Sequence, residues 1–288
     1  MKLSVIVPCY NAADTLAEQL EALAKQQWSE PWEIIVADNG STDETLAIAE
    51  QYRIKLPQMR VVDASERRGR AYACNLAVRE AASEAIAFCD ADDEVAEGWV
   101  AAMGEALFKY DFVACRLDCE KLNESWTTKY RSLDLQSEGP IAYKYPAYLP
   151  HAAGASLGVK RFWHEAIEGF DETLLRLQDT DYCWRLQLAG AKLHFVPDAV
   201  IYYRFRHTVD GLYRQARLWG EYNVFLYKKY RALGMPQLSW WASVKAWLHL
   251  LKRIFEVLSQ EDRAAWLWLL GWRVGRLQGC LKYRVLAI

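Results

Sequence analysis

Short apolar runs alternate with helix-length segments four times along the first part of the chain, and no other feature restricts the fold as much. Leu3–Pro8, Trp32–Ala37, Met59–Val62 and Ala85–Cys89 lack a regular polar alternation, as strands covered on both faces do. Between them, Leu16, Leu20 and Leu23 fall at helical spacing with Asn11 or Asp14 available as a cap. Asp43–Tyr52 reads as a second helix, and Gly69 opens a third that runs through Ala82. Repetition at this spacing predicts an α/β fold with a mainly parallel sheet and helices on both faces. Beyond it, helices are expected over Glu94–Tyr110, near Lys160–Ile167 and over Asp179–Leu188, with a strand at Ala191–Val196. Residues 118–150, rich in Lys, Ser, Tyr and Pro, are the least regular stretch. With Tyr143, Tyr145 and Tyr148 they are either an acceptor loop or lid, or a surface insertion.

From Gly211 onward the pattern is helical. Val244, Trp247, Leu251, Ile254 and Leu258 form one apolar stripe; Leu267, Leu270, Val274, Leu277 and Leu281 form another. Residues 239–288 hold eight Lys/Arg against three Asp/Glu and six of the thirteen Trp, whereas the whole chain has a net charge of -2. That local excess suits peripheral contact with a membrane surface through 239–288, and the competing expectation is a helical hairpin packed on the rest of the protein. The net charge offers no general polyanion-binding surface, so no nucleic-acid partner is expected. Leu3–Pro8 is too short for a signal peptide, and seven Cys without regular spacing point to free thiols in a reducing compartment. A cytoplasmic location, or one peripheral to the cytoplasmic face of the membrane, follows as the expectation.

The chemistry concentrates at the strand ends. Ala85–Cys89 stops abruptly at Asp90, Asp92 and Asp93. Side chains at i and i+2 of an extended segment point the same way, so Asp90 and Asp92 can aim two carboxylates at one spot. Such crowding favours a divalent cation, whose shell phosphate oxygens can complete; a solvated acidic turn is the other reading. Tyr10 and Asn11 follow the first strand and Asp38 the second, and the carboxyl ends of parallel strands share one cleft. No three-glycine dinucleotide fingerprint, Walker A loop, Gly-x-Ser-x-Gly elbow or His-Glu-x-x-His helix is present.

Ser4–Asn11, Val36–Asp43 and Phe88–Asp93 resemble the opening motifs of the family 2 inverting glycosyltransferases. Gly154-Ala-Ser156, Gly169-Phe-Asp-Glu172 and Gln178–Arg185 resemble that family's acceptor-side motifs, in the same order, so the similarity covers about residues 1–207. It implies the GT-A fold, with a nucleotide-binding part over about 1–117, an acceptor part over 118–207, and a C-terminal helical extension over 208–288. It also implies a nucleotide-sugar donor, Mg²⁺ or Mn²⁺, a glycan or lipid-linked acceptor, and a place in cell-surface glycan or polysaccharide synthesis.

Carried over by position, Pro8, Tyr10, Asn11 and Asp38 hold the nucleoside, with Gly69 and Asn75 nearby. Asp90 touches ribose or metal, Asp92 ligates the metal, and Asp93 and His207 are further candidate ligands. Asp179 is the general base. Two departures stand out: Cys74 where the family usually has Arg, and Gln178 where it usually has Glu. Arg68 or Arg70 can replace the missing Arg by reaching phosphate, or both are solvated at the surface, the commoner fate of arginines. The alternatives are a non-catalytic nucleotide-sugar-binding relative and a sugar-phosphate nucleotidyltransferase. The latter wants a Gly-rich loop where Pro8-Cys-Tyr-Asn11 stands.

Overall fold

Successive residues of the first strands feed two different cores. In a computed structural model describing residues 1–127, 135–144 and 146–287, β1 (Leu3–Cys9), β2 (Trp32–Asp38) and β4 (Ala85–Phe88) are buried at every position. Leu3, Val5 and Val7 join Ile34, Val36 and Ala87 on one face, while Ile6, Ile35, Ala37, Ile86 and Phe88 point to the other. This is why these strands read as unbroken apolar runs. The first core is closed by α1 (Leu16–Ala24) and α4 (Trp99–Lys109), the second by α3 (Arg70–Glu80) and α6 (Gln178–Leu188).

The eight strands run in the order β3-β2-β1-β4-β7-β6-β8-β5. Here β3 is Met59–Asp63, β5 Glu94–Val95, β6 Phe112–Asp118, β7 Leu157–Lys160 and β8 Leu193–Tyr202. β1 pairs in parallel with β2 and β4, and β2 with β3, so their carboxyl ends line one edge. β7 enters antiparallel between β4 and β6, and β6 pairs in parallel with β8. The remaining helices are α2 (Thr45–Tyr52), α5 (Arg161–Ala166), α7 (Val209–Arg231), α8 (Trp240–Arg253) and α9 (Gln260–Tyr283).

Three expectations need correction. The first strand does not stop at Pro8; its pairing continues through Cys9 opposite Asp38. Glu94 does not open a helix, because Glu94 and Val95 pair with Tyr202 and Ile201, and α4 begins at Trp99 after a left-handed Gly98. Finally, the first apolar stripe of the tail is not the packing face that a packed hairpin would need, since Val244, Leu251, Ile254 and Leu258 are exposed, whereas in the second stripe Leu267, Leu270 and Val274 are half-buried and Leu277 and Leu281 exposed.

The chain forms two compact units. One comprises Met1–Leu122, Gln136–Ile141 and Pro150–Arg204; the other comprises Asn123–Leu135, Ala142–Leu149 and Phe205–Ile288. The helical unit thus takes in more than the 208–288 tail. Tyr143 pairs with Asn223, and the Tyr148 hydroxyl donates to the Leu233 carbonyl at 3.0 Å, which ties that part of the irregular segment to the end of α7. Tyr145 and residues 128–134 lie outside the described residues. Within this unit α9 meets α7 through small residues: Ala264, Gly271, Gly275 and Gly279 are buried. A Cβ at Gly275 would stand 1.8 Å from the Arg217 carbonyl oxygen, so only glycine allows the backbones to approach this closely. The Gly-x-x-x-Gly-x-x-x-Gly spacing of 271–279 is the signal for this contact, and the leucine stripe obscures it.

Candidate active site

The Asp90–Asp93 turn is fixed from three sides. The buried Gln19 of α1 donates to the Asp90 carbonyl at 2.9 Å and accepts from the Val95 N–H at 3.0 Å. Arg204, just after β8, donates its backbone N–H to Asp93 Oδ1 and its Nε–H to the Asp92 carbonyl, both at 2.8 Å. In sequence Gln19 is a polar residue within the apolar stripe of α1, the one signal available for its role. Nothing local marks Arg204.

The outcome is a tight acidic cluster. Ligand oxygens of Asp90, Asp92 and Asp93 lie within 4.8 Å of one another. Asp93 is only 1% exposed, and its Oδ2 is buried without a hydrogen-bond partner. Burial first, then the charges of Asp92 and Asp90, push its pKa well above the ordinary carboxylate range. A buried carboxylate oxygen with no donor needs a proton or a cation. The all-oxygen donor set and this unsatisfied atom fit a hard divalent ion, which Asp90, Asp92 and Asp93 would hold. His207 is exposed and belongs to the helical unit; among the described residues the cluster consists of the three aspartates.

Arg70 is neither solvated nor directed at open solvent. From the first turn of α3 it places Nε and Nη2 at 2.9 and 2.7 Å from Asp90 Oδ1. Its Nη1 is buried without a hydrogen-bond partner and lies 2.8 Å from where a Cβ on Gly154 would be. The absence of a side chain at Gly154 makes this room. Burial would depress the Arg70 pKa, but Asp90 foremost, with Asp179 also acting, raises it above the usual value. Cys74, one helical turn along α3, is fully buried among apolar neighbours. Position 74 thus offers no cation to the cluster, whereas Arg70, four residues earlier, stands on Asp90.

Gly154 also reaches the other carboxylate. Its N–H donates to Asp179 Oδ2 at 3.1 Å, while Thr180 N–H donates to Oδ1 at 2.8 Å. Asp179 stands in the first turn of α6, where the helix N-terminus favours a negative charge. Beside it, the His151 pKa is pushed down to about 4 by burial, against the pull of Asp179. Neighbouring Asp181 is placed differently. It is fully buried and pairs with Arg185 at 2.7 Å.

The remaining expected residues fall at the same sheet edge in two groups. Tyr10 is exposed, with the Arg68 guanidinium 5.0 Å above its ring. Pro8 sits beside Ala37 in the parallel ladder. Asp38 is buried and accepts from the N–H groups of Gly40 and Ser41, each at 3.1 Å. Asn11, at a φ of 48°, accepts from Thr42 N–H at 2.8 Å, so its side chain ties two strand-end loops together. Asn75 likewise spends its amide on the protein: it donates to the Phe170 carbonyl at 2.9 Å and to Glu172 at 3.0 Å, and accepts from Phe170 N–H. Gly69 donates its N–H to Asn39 Oδ1 at 2.7 Å; Asn39, which sequence reasoning did not single out, also donates to the carbonyls of Ala64 and Arg67.

Because Arg70 already neutralises part of the cluster, Arg70→Gln should tighten Mn²⁺ binding by about tenfold, since removing a cation a few ångströms away strengthens the attraction for another. Titration of Mn²⁺ by electron paramagnetic resonance measures this. Weaker binding in the variant would mean that Arg70 serves to orient Asp90 rather than to offset its charge.

Residues 4–167 match the family model for glycosyl transferase family 2. The uncharacterized glycosyltransferase YwdF of Bacillus subtilis is 26% identical over 221 residues, 73% of this chain and 77% of that protein. Poly(ribitol-phosphate) beta-N-acetylglucosaminyltransferase TarS of Staphylococcus aureus is 40% identical over 100 residues, but these are 33% of this chain and 17% of TarS. The YfnE glycosyltransferase of Bacillus subtilis, 41% identical over 101 residues, is likewise matched over only 35% of this chain and 26% of its own length. Among solved structures, the mannosyltransferase PcManGT of Pyrobaculum calidifontis, in complex with GDP-Man and Mn²⁺, superposes with a TM-score of 0.64 at 21% identity, covering 96% of this chain and 87% of that one. At that identity the likeness speaks for the fold, which is that of the GT-A glycosyltransferases. With a matched region that takes in more than half of its residues, including the acidic cluster and Arg70, the chain belongs to glycosyl transferase family 2.

Proposed function

We propose that the protein is an inverting, metal-dependent glycosyltransferase that moves a sugar from a nucleoside-diphosphate sugar to a hydroxyl of a glycan or lipid-linked acceptor, in the synthesis of a cell-surface polymer. One observation carries the reading: a single guanidinium, that of Arg70, rests on Asp90 and packs against Gly154, whose N–H holds the Asp179 carboxylate. A cation-holding cluster and a lone carboxylate are thereby neighbours of one side chain.

Asp179 is the residue we assign as general base. Each of its oxygens accepts one backbone N–H, which fixes the carboxylate and leaves lone pairs for an acceptor hydroxyl. As the hydroxyl oxygen attacks the anomeric carbon, its proton passes to Asp179. The bond from that carbon to the donor phosphate oxygen breaks on the opposite face, and the configuration inverts. Only one carboxylate near the acceptor is needed for such a single displacement. Asp90, Asp92 and Asp93 hold the cation, and Mg²⁺ or Mn²⁺, when bound, supplies positive charge to the departing diphosphate. Tyr10, Pro8 and Asp38 stand where a nucleoside would lie along the strand ends, while Asn11, Gly69 and Asn75 hold the loops around it. TarS, whose structures include complexes with UDP and UDP-GlcNAc, makes UDP-sugars the first donors to try.

A thermal-shift screen of nucleotide sugars with Mn²⁺ identifies the donor, because a ligand bound only by the folded state raises its melting temperature. Proton NMR of the product from an α-linked donor should then show a β-glycoside. An α-linked product would overturn the inverting assignment, and no shift with any nucleotide sugar would overturn the donor class.

A further inference from the structure

We propose that α8 and the turn after it form a site for the surface of an anionic membrane, with the helix lying along the bilayer and not crossing it. Trp240, Val244, Leu248 and Leu251 recur at steps of three and four residues on one side of α8, Phe255 and Leu258 follow in the turn after it, and every one is exposed. Phe255 and Leu258 are 87% and 92% exposed, and with their neighbours they make a contiguous apolar patch rather than single exposed side chains. The opposite side is the one that packs. Leu250 is buried, and its carbonyl accepts the Trp266 indole N–H of α9 at 3.0 Å. α8 is therefore held in place by its inner side while its outer side offers contiguous apolar surface to solvent.

Charge decides which partner fits. Lys245, His249 and Arg253, four residues apart, form a basic row that begins beside the apolar side at Lys245 and turns from it toward α9. With Arg273 of α9 they line an open cleft of about 550 Å³ that also contains Leu250 and Leu269. Among the described residues, no acidic side chain lines that cleft. Lys252 lies on the flank between this row and the apolar side. Acyl chains against the apolar side and phosphate headgroups against the flank satisfy both surfaces together. A second copy of this chain suits them less well, since a symmetric contact across the apolar side brings the two basic flanks toward each other. Spanning is ruled out by length and composition: 14 residues make a helix of about 21 Å, short of the ~30 Å hydrocarbon core, and no helix among the described residues is long and apolar enough to cross.

This inference is independent of the catalytic assignment and is tested on the full chain. Co-sedimentation with phosphatidylcholine vesicles containing one quarter phosphatidylglycerol should show binding at low salt that declines as salt rises, and much weaker binding to phosphatidylcholine alone. The double variant Leu251→Glu/Phe255→Ser should lose binding. Lys245→Gln/Lys252→Gln should weaken it by about tenfold or more, as expected when two basic residues leave an anionic surface. Because all four side chains point outward, the variants should keep the wild-type melting temperature, and circular dichroism reports any that do not fold. Brominated lipid should quench tryptophan fluorescence in the wild type and quench less in Trp240→Phe/Trp241→Phe. Absence of binding to the anionic vesicles at low salt overturns the proposal, as does undiminished binding by the Leu251/Phe255 variant. So does a concentration-dependent dimer in sedimentation equilibrium that this same variant abolishes, which would assign the face to a second copy.

Discussion

Asp179→Asn is expected to slow sugar transfer by about two to four orders of magnitude, the usual contribution of a positioned general base, with Mn²⁺-dependent donor binding essentially unchanged. Asn is the informative replacement because it keeps the shape of the side chain and one acceptor oxygen. The wild-type carboxylate accepts from Gly154 N–H on one oxygen and Thr180 N–H on the other. The amide can satisfy only one of these, which costs on the order of 1 kcal/mol of stability and leaves the site assembled. What it cannot do is take a proton from an incoming hydroxyl. Donor binding is read by thermal shift and transfer by product formation, so a misfolded variant is recognised at once. Asp181→Asn is the contrasting control two residues away. It breaks a buried ion pair with Arg185, so its effect should fall on melting temperature. An Asp179→Asn protein with full turnover would remove Asp179 from the mechanism.

The contrast between these two aspartates marks how far the chain could be read without coordinates. Spacing alone places both in the first turn of one helix; the Gly154 N–H, from elsewhere in the fold, marks out Asp179, whereas Asp181 pairs within the helix to Arg185. Alternation of apolar runs was sufficient for the parallel half of the sheet, since β1, β2 and β4 are buried on both faces and local pattern records this. Short antiparallel additions leave no comparable trace. β5 has two residues and β7 four, and their existence depends on β8, β4 and β6 far along the chain. The acidic cluster was legible because it is local, with Asp90 and Asp92 at i and i+2. Arg70 was legible only as one of two candidate arginines, for its place on Asp90 depends on an empty position at Gly154, more than eighty residues later. Asn75 and Asn11 were identified as motif residues, but a motif does not say whether a side chain faces ligand or protein, and their amides are committed to neighbouring loops. In the tail, periodicity found the apolar stripes but left open whether they face protein or a surface. Glycines have no hydropathy to register, although they set the α7–α9 contact.

The acidic cluster leads to an opposition between stability and cation binding. Asp93→Asn should raise the melting temperature in metal-free buffer and weaken Mn²⁺ binding by about a hundredfold or more, beyond the 10–100-fold typical of groups that only support a ligand. In the wild type, Asp93 Oδ1 accepts from Arg204 N–H while Oδ2 is buried with nothing to accept from. Asparagine keeps the first bond through its oxygen and turns the second atom into a donor facing the Asp90 and Asp92 carboxylates. The cost of either retaining a proton on that buried carboxyl or burying its charge disappears, and a favourable contact replaces it. The pH dependence follows from the sign of the shift. Burial, then Asp92 and Asp90, raise the Asp93 pKa in the folded protein above that of the unfolded chain. Below the unfolded value of about 3.9 the residue is protonated in both states, and wild type and variant should melt alike. Above it, the unfolded chain releases a proton that the folded protein retains, so stability falls with rising pH until the folded group also ionises. The advantage of Asp93→Asn should therefore open above the ordinary carboxylate range and widen toward neutrality in metal-free buffer. Saturating Mn²⁺ should reverse the order, because the cation stabilises the tighter-binding wild type more than the variant. Melting curves across pH, with and without Mn²⁺, measure all of this. A variant that melts lower than wild type without metal, or that responds to Mn²⁺ as wild type does, would show that Asp93 is a structural residue outside the cation site.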